Sequence, residues 1–310
     1  MTLPPRVTVV EVGPRDGLQN VAAAPAADVK AGFIDRLSET GLPVIEIGAF
    51  VDPRRVPAMA DSADVARRII RRPGTRYTAL VPNLRGLARA AEAGIGEVAV
   101  FGAASDTFSR RNIGHAIAES FAGFREVMRE ATASAVRVRA YLSTAFGCPY
   151  EGDVPAPRVA ELAEALLQMG AFEVAVSDTI GVAHPGQVWR VLDAVGARVP
   201  LGRLALHFHD TRGTGLANVL AGLEAGVSTF DASCGGLGGC PFAPGASGNL
   251  ATEDLLYMLN GLGIETGVNL DGLVAASTFI EPHVPGELPS RYLKAERAAL
   301  RRGRDERGDA

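Results

Sequence analysis

The segment FEVAVSDTIGVAHPGQVWRVLDAVGARVPLGRLALHFHD (residues 172–210) decides the fold class, because it contains one complete strand–helix–strand unit. A short apolar, β-branched run ends at Asp178, and a second such run ends in His-Phe-His-Asp at 207–210. Residues 185–200, between the two runs, have a helical pattern. Two strands joined by a helix pair in parallel, so this unit predicts an α/β fold.

The strand pattern occurs eight times in the chain. The runs are 7–12, 44–50, 76–81, 97–102, 136–143, 172–178, 204–210 and 227–234. Eight such units alternating with helices predict an α/β (β/α)8 TIM barrel. A doubly wound open sheet is the alternative, but no GxGxxG motif follows the first strand, and the glycine-rich segment 236–245 has a different spacing. We expect a barrel domain at 1–280 and a short C-terminal extension at 281–310, a cap that ends in a disordered charged tail.

Composition restricts the partners and the compartment. The 310-residue chain has a net charge of −4 and a pI near 5.8, which favours neither nucleic acid nor an anionic membrane as a partner. Three cysteines, Cys148, Cys234 and Cys240, are no disulfide framework and indicate a reducing compartment. No signal peptide is evident, and no apolar run reaches the roughly 18 residues of a membrane span. We therefore expect a cytoplasmic protein, and its arginine-rich, lysine-poor composition indicates a bacterial source.

Two of the five histidines, His207 and His209, lie two residues apart at the end of the seventh strand. Residues i and i+2 of a strand point to the same face, so both imidazoles would point inward near the C-terminal rim, where barrel active sites occur. Two imidazoles on one face can bind one metal ion. A hydrogen-bonded pair of core histidines is the alternative, but the Asp-Thr-Arg-Gly that follows favours a ligand pair.

Charged residues of three other strands belong to the same rim. Arg15 and Asp16 lie in a Gly/Pro turn after the first strand, where Asp16 is a candidate oxygen ligand and Arg15 can stabilise an oxyanion. Glu46 lies between apolar residues of the second strand and must be paired or solvated from a cavity, so an ion pair with Arg15 fits a structural or a site role. Asp178 would orient a ligand or substrate, or only cap the next turn.

Residues 231–255 form a long glycine-rich loop that leads into a helix. Long loops in barrels are usually functional. Cys240 lies among the glycines of this loop, which predicts an exposed and reactive thiol. Asn249 is either the N-cap of the following helix or an oxygen ligand, and considered alone it favours the cap.

Together these residues predict a metal site with nitrogen and oxygen ligands. The candidate ligands are Asp16, His207, His209 and Asn249. Such a set without a thiolate favours Mg²⁺ or Mn²⁺ over a structural Zn²⁺. A Cys240 thiolate in the set would favour Zn²⁺, so these residues alone leave the ion open.

Several motifs of the chain resemble those of the 3-hydroxy-3-methylglutaryl-CoA lyase family, which belongs to a superfamily of metal-dependent lyases and synthases. The motifs are EVGPRDGLQN (11–20), VPNLRGLARAAEAG (81–94), FGAASDTFSRRNI (101–113), GCPYEG (147–152), SDTIGV (177–182), HFHDT (207–211), GLGGCPFAPGASGNLATEDLLYML (236–259) and GLGIETGVNL (261–270). The resemblance extends from about residue 7 to about 275, and RDGLQ combined with HxHDT and GLGGCP is specific.

The resemblance implies roles for individual residues. The metal ligands of the family fall on the four candidate ligands already named. The catalytic arginine of the family matches Arg15, and its flexible-loop cysteine matches Cys240. Glu46 and Asp178 match family carboxylates near the site and complete the candidate catalytic residues.

The implied reaction is a retro-Claisen-type cleavage of 3-hydroxy-3-methylglutaryl-CoA to acetyl-CoA and acetoacetate. A divalent cation would organise the substrate oxygens, and Asp16 or His207 would remove the hydroxyl proton. Arg15 would stabilise the enolate of acetyl-CoA, and Cys240 with His207 would protonate the carbanion. The resemblance also implies an acyl-CoA substrate, a homodimer, and a place in leucine catabolism or ketone-body formation.

Some positions near the expected pocket depart from the family pattern. They include Gly48, Ala49, Thr144, Ser177 and Arg212, where the family usually has Thr, Ser, Cys, Gly and Tyr. These departures preserve the metal and the cleavage chemistry but leave the acyl group open. A larger or differently substituted 3-hydroxyacyl-CoA, of the 3-hydroxyglutaryl- or citramalyl-CoA type, is the alternative substrate. Arg212 would then meet an extra carboxylate, or would form only a surface ion pair.

Two other functions are compatible with a metal-binding barrel. An isopropylmalate-type condensing synthase shares the HxH barrel, but it typically has a long C-terminal regulatory domain, and the GLGGCP loop favours cleavage. A catalytically silent barrel acting as a binding partner predicts damaged ligand positions. All four ligand positions are intact in this chain, as are Arg15 and Cys240.

Overall fold

A computed structural model describes residues 3–239 and 248–308 of the chain. Its strands form one closed barrel in which each strand pairs in parallel with the next and β8 pairs with β1. The strands are β1 Thr8–Glu11, β2 Val44–Ala49, β3 Arg76–Leu80, β4 Glu97–Ala103, β5 Arg137–Ser143, β6 Glu173–Asp178, β7 Leu204–Phe208 and β8 Thr229–Ala232. The predicted (β/α)8 barrel with a short C-terminal extension is confirmed.

Helices follow the strands and surround the barrel. They are α1 Ala27–Glu39, α2 Ser62–Arg68, α3 Leu84–Glu92, α4 Asp106–Asn112, α5 Ile117–Ala133, α6 Ala156–Gln168, α7 Pro185–Gly196, α8 Gly215–Ala225, α9 Thr252–Gly261, α10 Leu270–Ile280 and α11 Arg291–Gly308. Each parallel connection needs such a crossover, and the apolar faces of the helices cover the outer face of the barrel.

The C-terminal extension is anchored on the barrel domain through α9. Asp254 in the first turn of α9 accepts hydrogen bonds from the backbone N–H groups of Arg291 and Tyr292, at 3.1 and 2.8 Å, and Leu293 is buried. Helix α11 continues to Gly308, in the region where the sequence predicts a disordered tail. The division of the chain at residue 280 stays a prediction.

The inside of the barrel combines small apolar residues with charged ones. Ala99, Ala175 and Ala205 pack around Tyr141 in the interior. The large Arg139 of β5, which is 2% exposed, pairs in register with Ala99 and lies over the ring of Tyr141. The barrel therefore contains a charged layer beneath its C-terminal rim, where the strand ends present the candidate site.

Two structural findings concern the expectations about membrane spans and about disulfide bonds. Among the residues that the structure describes, no helix has both the length and the apolarity that crossing a membrane requires. Within the same residues, Cys148 and Cys234 are buried free thiols.

Candidate active site and metal centre

The turn after β1 presents Arg15 and Asp16 to the centre of the rim. Residues 13–17 form one π-helical turn, in which the backbone N–H groups of Arg15, Asp16 and Gly17 all donate to the carbonyl of Val12. Gly13 is required by close packing, since a Cβ atom there would lie 2.6 Å from Oε1 of Glu11. The tight turn brings the two charged side chains back over the barrel mouth.

The two histidines meet Asp16 at the rim. His207 lies in β7 and His209 directly follows it, and both are buried. Their ring centroids are 5.2 Å apart. One potential ligand atom from each of Asp16, His207 and His209 lies within 4.8 Å of the other two. The structure therefore brings together three of the four predicted ligands as a group that can bind a metal ion.

Asn249 joins this group through the backbone and through its side chain. It forms an antiparallel bridge with His209, and its Nδ2 donates to Oδ2 of Asp16 at 3.0 Å. The expected N-cap role is wrong, because α9 begins at Thr252 and its N-cap residue is Ala251. The bridge holds Asn249 at the rim, two residues before the cap.

Two buried atoms indicate that these residues fit a cation. Oδ1 of Asn249 and Nδ1 of His209 have no hydrogen-bond partner among the described residues. Burying polar atoms without partners is costly, whereas a bound cation would use such lone pairs. With the Asp16 carboxylate, the donor set suits a divalent ion, so the residues present fit the group.

Arg15 is buried between two carboxylates. Its Nε donates to Oε2 of Glu46 at 2.5 Å and its Nη1 donates to Oδ1 of Asp16 at 2.6 Å. The guanidinium lies 5.1 Å from the ring centroid of Tyr141, whose hydroxyl donates to Oε2 of Glu46 at 3.2 Å. The expected Arg15–Glu46 ion pair is therefore present, and it fixes the orientation of the guanidinium.

The electrostatics of the site follow from burial and from Arg15. Burial opposes ionisation of Asp16, but Arg15 and the two histidines outweigh it and lower the pKa of Asp16 to about 2. Burial, assisted by the neighbouring His207, lowers the pKa of His209 to about 4. Asp16 is thus an anion and His209 a neutral imidazole near pH 7, the forms in which both side chains bind metal ions.

Asp178 and Arg212 both bond to the backbone of the turn after β6. The carboxylate of Asp178 accepts hydrogen bonds from the N–H groups of Val182 and Ala183, both at 3.0 Å, and burial raises its pKa to about 6. Arg212 donates to the carbonyls of Ile180 and Gly181, at 3.0 and 2.8 Å. Asp178 therefore makes the turn-capping contacts, and the contacts of Arg212 are with carbonyls rather than with a carboxylate.

One of the departures from the family pattern, Gly48, has a local structural cause, and a second, Thr144, lies in an unusual backbone conformation. A Cβ atom on Gly48 would lie 2.6 Å from Oγ of Ser62, and this hydroxyl accepts the N–H of Ala49 at 3.1 Å. The side chain of Ser62 therefore occupies the space that a side chain at position 48 would need. Thr144 has a positive φ of 55°, and its N–H donates to Oγ1 of Thr179 at 2.7 Å.

Cys240 lies outside the described residues, so its predicted exposure is untested. Residues on both sides of it are held at the rim. Asn20 donates to the carbonyl of Gly239 at 3.2 Å, and the N–H of Asp210 donates to the carbonyl of Gly248 at 3.0 Å. The loop that contains Cys240 therefore starts and ends next to the candidate ligands.

Sequence reasoning missed Asp231 and Arg139. Oδ2 of Asp231 lies 3.2 Å from Nδ1 of His207, and Arg139 donates to both oxygens of Asp231. The available signal was of the same kind as that of Glu46, namely a charged residue inside an apolar strand. Asp231 occurs in VSTFDASC and Arg139 in VRVRAYLS, both among the predicted strands.

The closed parallel barrel and the ligand group at its rim together define a barrel enzyme with a candidate divalent-metal centre. The chain belongs to the HMGL-like family, whose model matches residues 6–280. It is a family of lyases.

Individual relatives cover nearly the whole chain. The chain is 51% identical over 294 residues to the hydroxymethylglutaryl-CoA lyase YngG of Bacillus subtilis, covering 95% of this chain and 98% of that protein. A crystal structure of the hydroxymethylglutaryl-CoA lyase of Pseudomonas aeruginosa superposes with a TM-score of 0.95 at 50% identity, covering 96% of this chain and 100% of that one. An HMG-CoA lyase of Acinetobacter baumannii in complex with coenzyme A and 3-methylmalate gives a TM-score of 0.90 at 41% identity, with coverages of 95% and 97%.

Proposed function

We propose that the protein is a divalent-metal-dependent lyase that cleaves 3-hydroxy-3-methylglutaryl-CoA to acetyl-CoA and acetoacetate. The observation that carries the proposal is the position of Arg15, which lies directly beside Asp16 and hence beside the two histidines at the barrel mouth. This arrangement places a fixed positive charge next to a metal-ligand group. The relatives described as hydroxymethylglutaryl-CoA lyases support the same substrate.

The proposed ligands are Asp16, His207, His209 and Asn249. When bound there, a divalent cation would bind the substrate hydroxyl together with a carboxylate or acyl oxygen and make the hydroxyl more acidic. The nitrogen and oxygen donors of this set support Mg²⁺ or Mn²⁺ as the ion rather than Zn²⁺.

Arg15 is proposed to stabilise the enolate oxygen of the departing acetyl-CoA. Its Nε and Nη1 are engaged by Glu46 and Asp16, while no described residue accepts a hydrogen bond from its Nη2. The two carboxylates hold the guanidinium in place before the substrate binds, so no reorganisation is needed when charge develops. Glu46 is therefore proposed to position Arg15, and Asp178 to shape the neighbouring turn.

Two proton transfers are required, one at each end of the reaction. Asp16 and His207 are the candidate acceptors for the hydroxyl proton, since both lie at the ligand group; His207 can accept it only while its Nε2 lone pair is not bound to the cation. As the C–C bond breaks, its electron pair passes to the acetyl-CoA fragment, and the resulting carbanion takes a proton. We propose Cys240, acting with His207, as the donor, on the strength of the match of Cys240 to the family cysteine.

The substrate is proposed to be the ordinary family thioester rather than a more highly charged one. Coenzyme A is bound by the Acinetobacter relative, which supports an acyl-CoA substrate here. The alternative substrate with an extra carboxylate requires Arg212 to contact that carboxylate. Both described hydrogen bonds of the Arg212 side chain go to backbone carbonyls instead. Arg212 is thus engaged in holding the turn after β6.

The proposal extends to assembly and location. We propose a homodimer in the cytoplasm, without a nucleic-acid or membrane partner. The free thiols of Cys148 and Cys234 support a reducing compartment, and the net charge of −4 does not favour polyanionic partners. Light scattering coupled to gel filtration would test the dimer.

The deciding experiment is turnover by purified, metal-free protein. We expect release of acetyl-CoA from 3-hydroxy-3-methylglutaryl-CoA only when Mg²⁺ or Mn²⁺ is added. Cys240→Ser should retain metal affinity and lose most of the turnover, whereas Cys148→Ser, at a buried thiol, is the matched control. No acetyl-CoA despite metal binding would reject this substrate, and full turnover without any divalent ion would reject the metal dependence.

A further inference from the structure

His207 has a partner on each side of its ring, and only one of them belongs to the ligand group. Its Nε2 lies 4.0 Å from Oδ2 of Asp16, and its Nδ1 lies 3.2 Å from Oδ2 of Asp231. His207 and Asp231 are paired residues of β7 and β8, so strand register places this carboxylate beside the imidazole. Asp231 is buried and lies below the rim.

Arg139 fixes the carboxylate of Asp231 from across the barrel. Its Nη2 donates to Oδ1 at 2.7 Å and its Nη1 donates to Oδ2 at 3.1 Å, while its Nε donates to Glu173 at 2.7 Å. Arg139 is buried, and its guanidinium lies 5.0 Å from the ring centroid of Tyr141. The planar fork leaves Asp231 little freedom to rotate.

The contacts of Asp231 determine which nitrogen of His207 holds the proton. Both oxygens of Asp231 accept hydrogen bonds from the guanidinium of Arg139, a group that stays charged in proteins, so Asp231 is the carboxylate of a two-point ion pair. An ionised carboxylate only accepts hydrogen bonds, so the contact at Nδ1 requires an N–H there. In a neutral imidazole, Nε2 then has the free lone pair.

We propose that Asp231 and Arg139 are positioning residues, which fix His207 as the Nδ1–H tautomer and direct the Nε2 lone pair toward Asp16 and the proposed cation. The consequence for metal binding rests on the proposed function, whereas the tautomer is a property of the metal-free protein. A purely structural ion pair would stabilise the barrel without determining the tautomer. The two roles therefore differ in a measurable property of one imidazole.

Asp231→Asn separates these roles because the amide has one acceptor and one donor end. The stronger contact of Arg139, at 2.7 Å, would hold the amide oxygen at the Oδ1 position. The NH₂ group then lies at the Oδ2 position, where it gives up the weaker contact with Nη1 of Arg139 at 3.1 Å and donates to Nδ1 of His207, which places the proton on Nε2. The lone pair is thereby removed from the ligand side. The same exchange disables a catalytic histidine when the triad aspartate of a serine protease is changed to asparagine.

The test is ¹⁵N–¹H NMR of the imidazoles in metal-free protein, at a pH where His207 is neutral. The chain has only five histidines, and the signals of His207 are those lost in His207→Gln. We expect the Nδ1–H pattern in the wild type and the Nε2–H pattern in Asp231→Asn. Mn²⁺ affinity should fall by about 10–100-fold in the variant, the usual effect of losing such a partner.

Glu97→Gln is the matched control. Glu97 is also a buried strand carboxylate next to an arginine, with its Oε2 3.3 Å from Arg137, but it lies at the first residue of β4, the opposite end from the site. It should keep the tautomer and the Mn²⁺ affinity. An Nε2–H wild type would overturn the proposal even if Asp231→Asn failed to fold, and so would an unchanged tautomer in a folded variant. Failure of wild-type protein to bind Mn²⁺ would reject the proposed metal site and leave the tautomer result standing.

Discussion

The Nδ2 group of Asn249 donates to Oδ2 of Asp16 over 3.0 Å, although 233 residues separate them in the sequence. The contact joins the turn after β1 to the short backbone bridge beside the end of β7. It orients both side chains at once, because Asp16 also accepts bonds from Arg15 and Gln19. The Oδ1 atom of Asn249 has no hydrogen-bond partner among the described residues, and it is the atom of this side chain that suits a cation.

Asn249→Ala should therefore weaken Mn²⁺ binding by at least about tenfold, since it removes a ligand atom and the orientation of Asp16. Isothermal titration calorimetry on metal-free protein measures this. Asn269→Ala is the control, because it removes an N-cap bond to Gly272 in α10. That variant should lose about 1 kcal/mol of unfolding free energy and keep its Mn²⁺ affinity. Equal affinities in all three proteins would contradict the assignment of Asn249.

Metal binding should also stabilise the fold. A ligand that binds only the folded state, at a free concentration 100 times its Kd, adds about 2.7 kcal/mol to the unfolding free energy. We expect Mn²⁺ to raise the urea midpoint of the wild type accordingly. Asp16→Asn should abolish the effect, since the amide lacks the charge that Asp16 has near pH 7. A similar Mn²⁺ stabilisation of Asp16→Asn would place the ion elsewhere.

Arg15→Lys should lower kcat by roughly 10²–10³-fold with a smaller effect on KM. A single ammonium cannot contact Glu46 and Asp16 in the present geometry and also donate to an enolate oxygen. Steady-state kinetics with 3-hydroxy-3-methylglutaryl-CoA separates the two constants. Arg203→Lys is the control, because that arginine bonds to a backbone carbonyl rather than to a carboxylate and lies before β7, at the opposite end of the barrel. An Arg15→Lys enzyme with a raised KM and an unchanged kcat would assign Arg15 to binding instead.

The sequence alone predicts the barrel and the centre of the site because both depend on local patterns. Alternating strand and helix runs fix the fold class, and the spacing of two between His207 and His209 places them on one face. Asp16 follows the first strand, and all parallel strands of a barrel end at the same rim. These inferences need only the positions of the residues relative to the ends of the predicted strands.

Contacts between residues on opposite sides of the barrel cannot be predicted from such local patterns. The Arg139–Asp231 pair spans 92 residues and depends on which strands face each other and in which register. For Asn249, the nearby helix favours a cap, whereas the bridge to His209 is a tertiary contact that keeps it out of α9. Local propensity and tertiary pairing compete at such positions, and here the pairing determines the structure.

Glu11 provides a prediction that concerns stability rather than catalysis. Its carboxylate is buried under the rim, where it accepts bonds from the N–H groups of Gly13 and Cys234 and from the hydroxyl of Thr252, at 2.7, 2.8 and 2.7 Å. Burial is the largest influence and, with the nearby Glu253, raises the pKa of Glu11 from 4.5 to about 8 despite these bonds. The folded protein thus keeps a proton on Glu11 that the unfolded chain releases above about pH 4.5.

Because the folded state binds the extra proton, Glu11 lowers the unfolding free energy progressively as the pH rises from 4.5 to about 8. Glu11→Gln removes this dependence, since its amide oxygen can accept both N–H groups while its NH₂ donates to the Thr252 hydroxyl. Relative to the wild type, the variant should therefore gain stability between pH 5 and pH 9, by an amount on the order of a few kcal/mol.

Urea unfolding at pH 5, 7 and 9 measures this difference. Glu265→Gln is the control, because Glu265 is 70% exposed and its ion pair among the described residues is with Arg6, itself 74% exposed. Its difference from the wild type should stay within about 0.5 kcal/mol at every pH. If Glu11→Gln showed the same flat difference as this control, Glu11 would titrate alike in the folded and unfolded states. The buried carboxyl would then be ionised at neutral pH, balanced by its three hydrogen bonds.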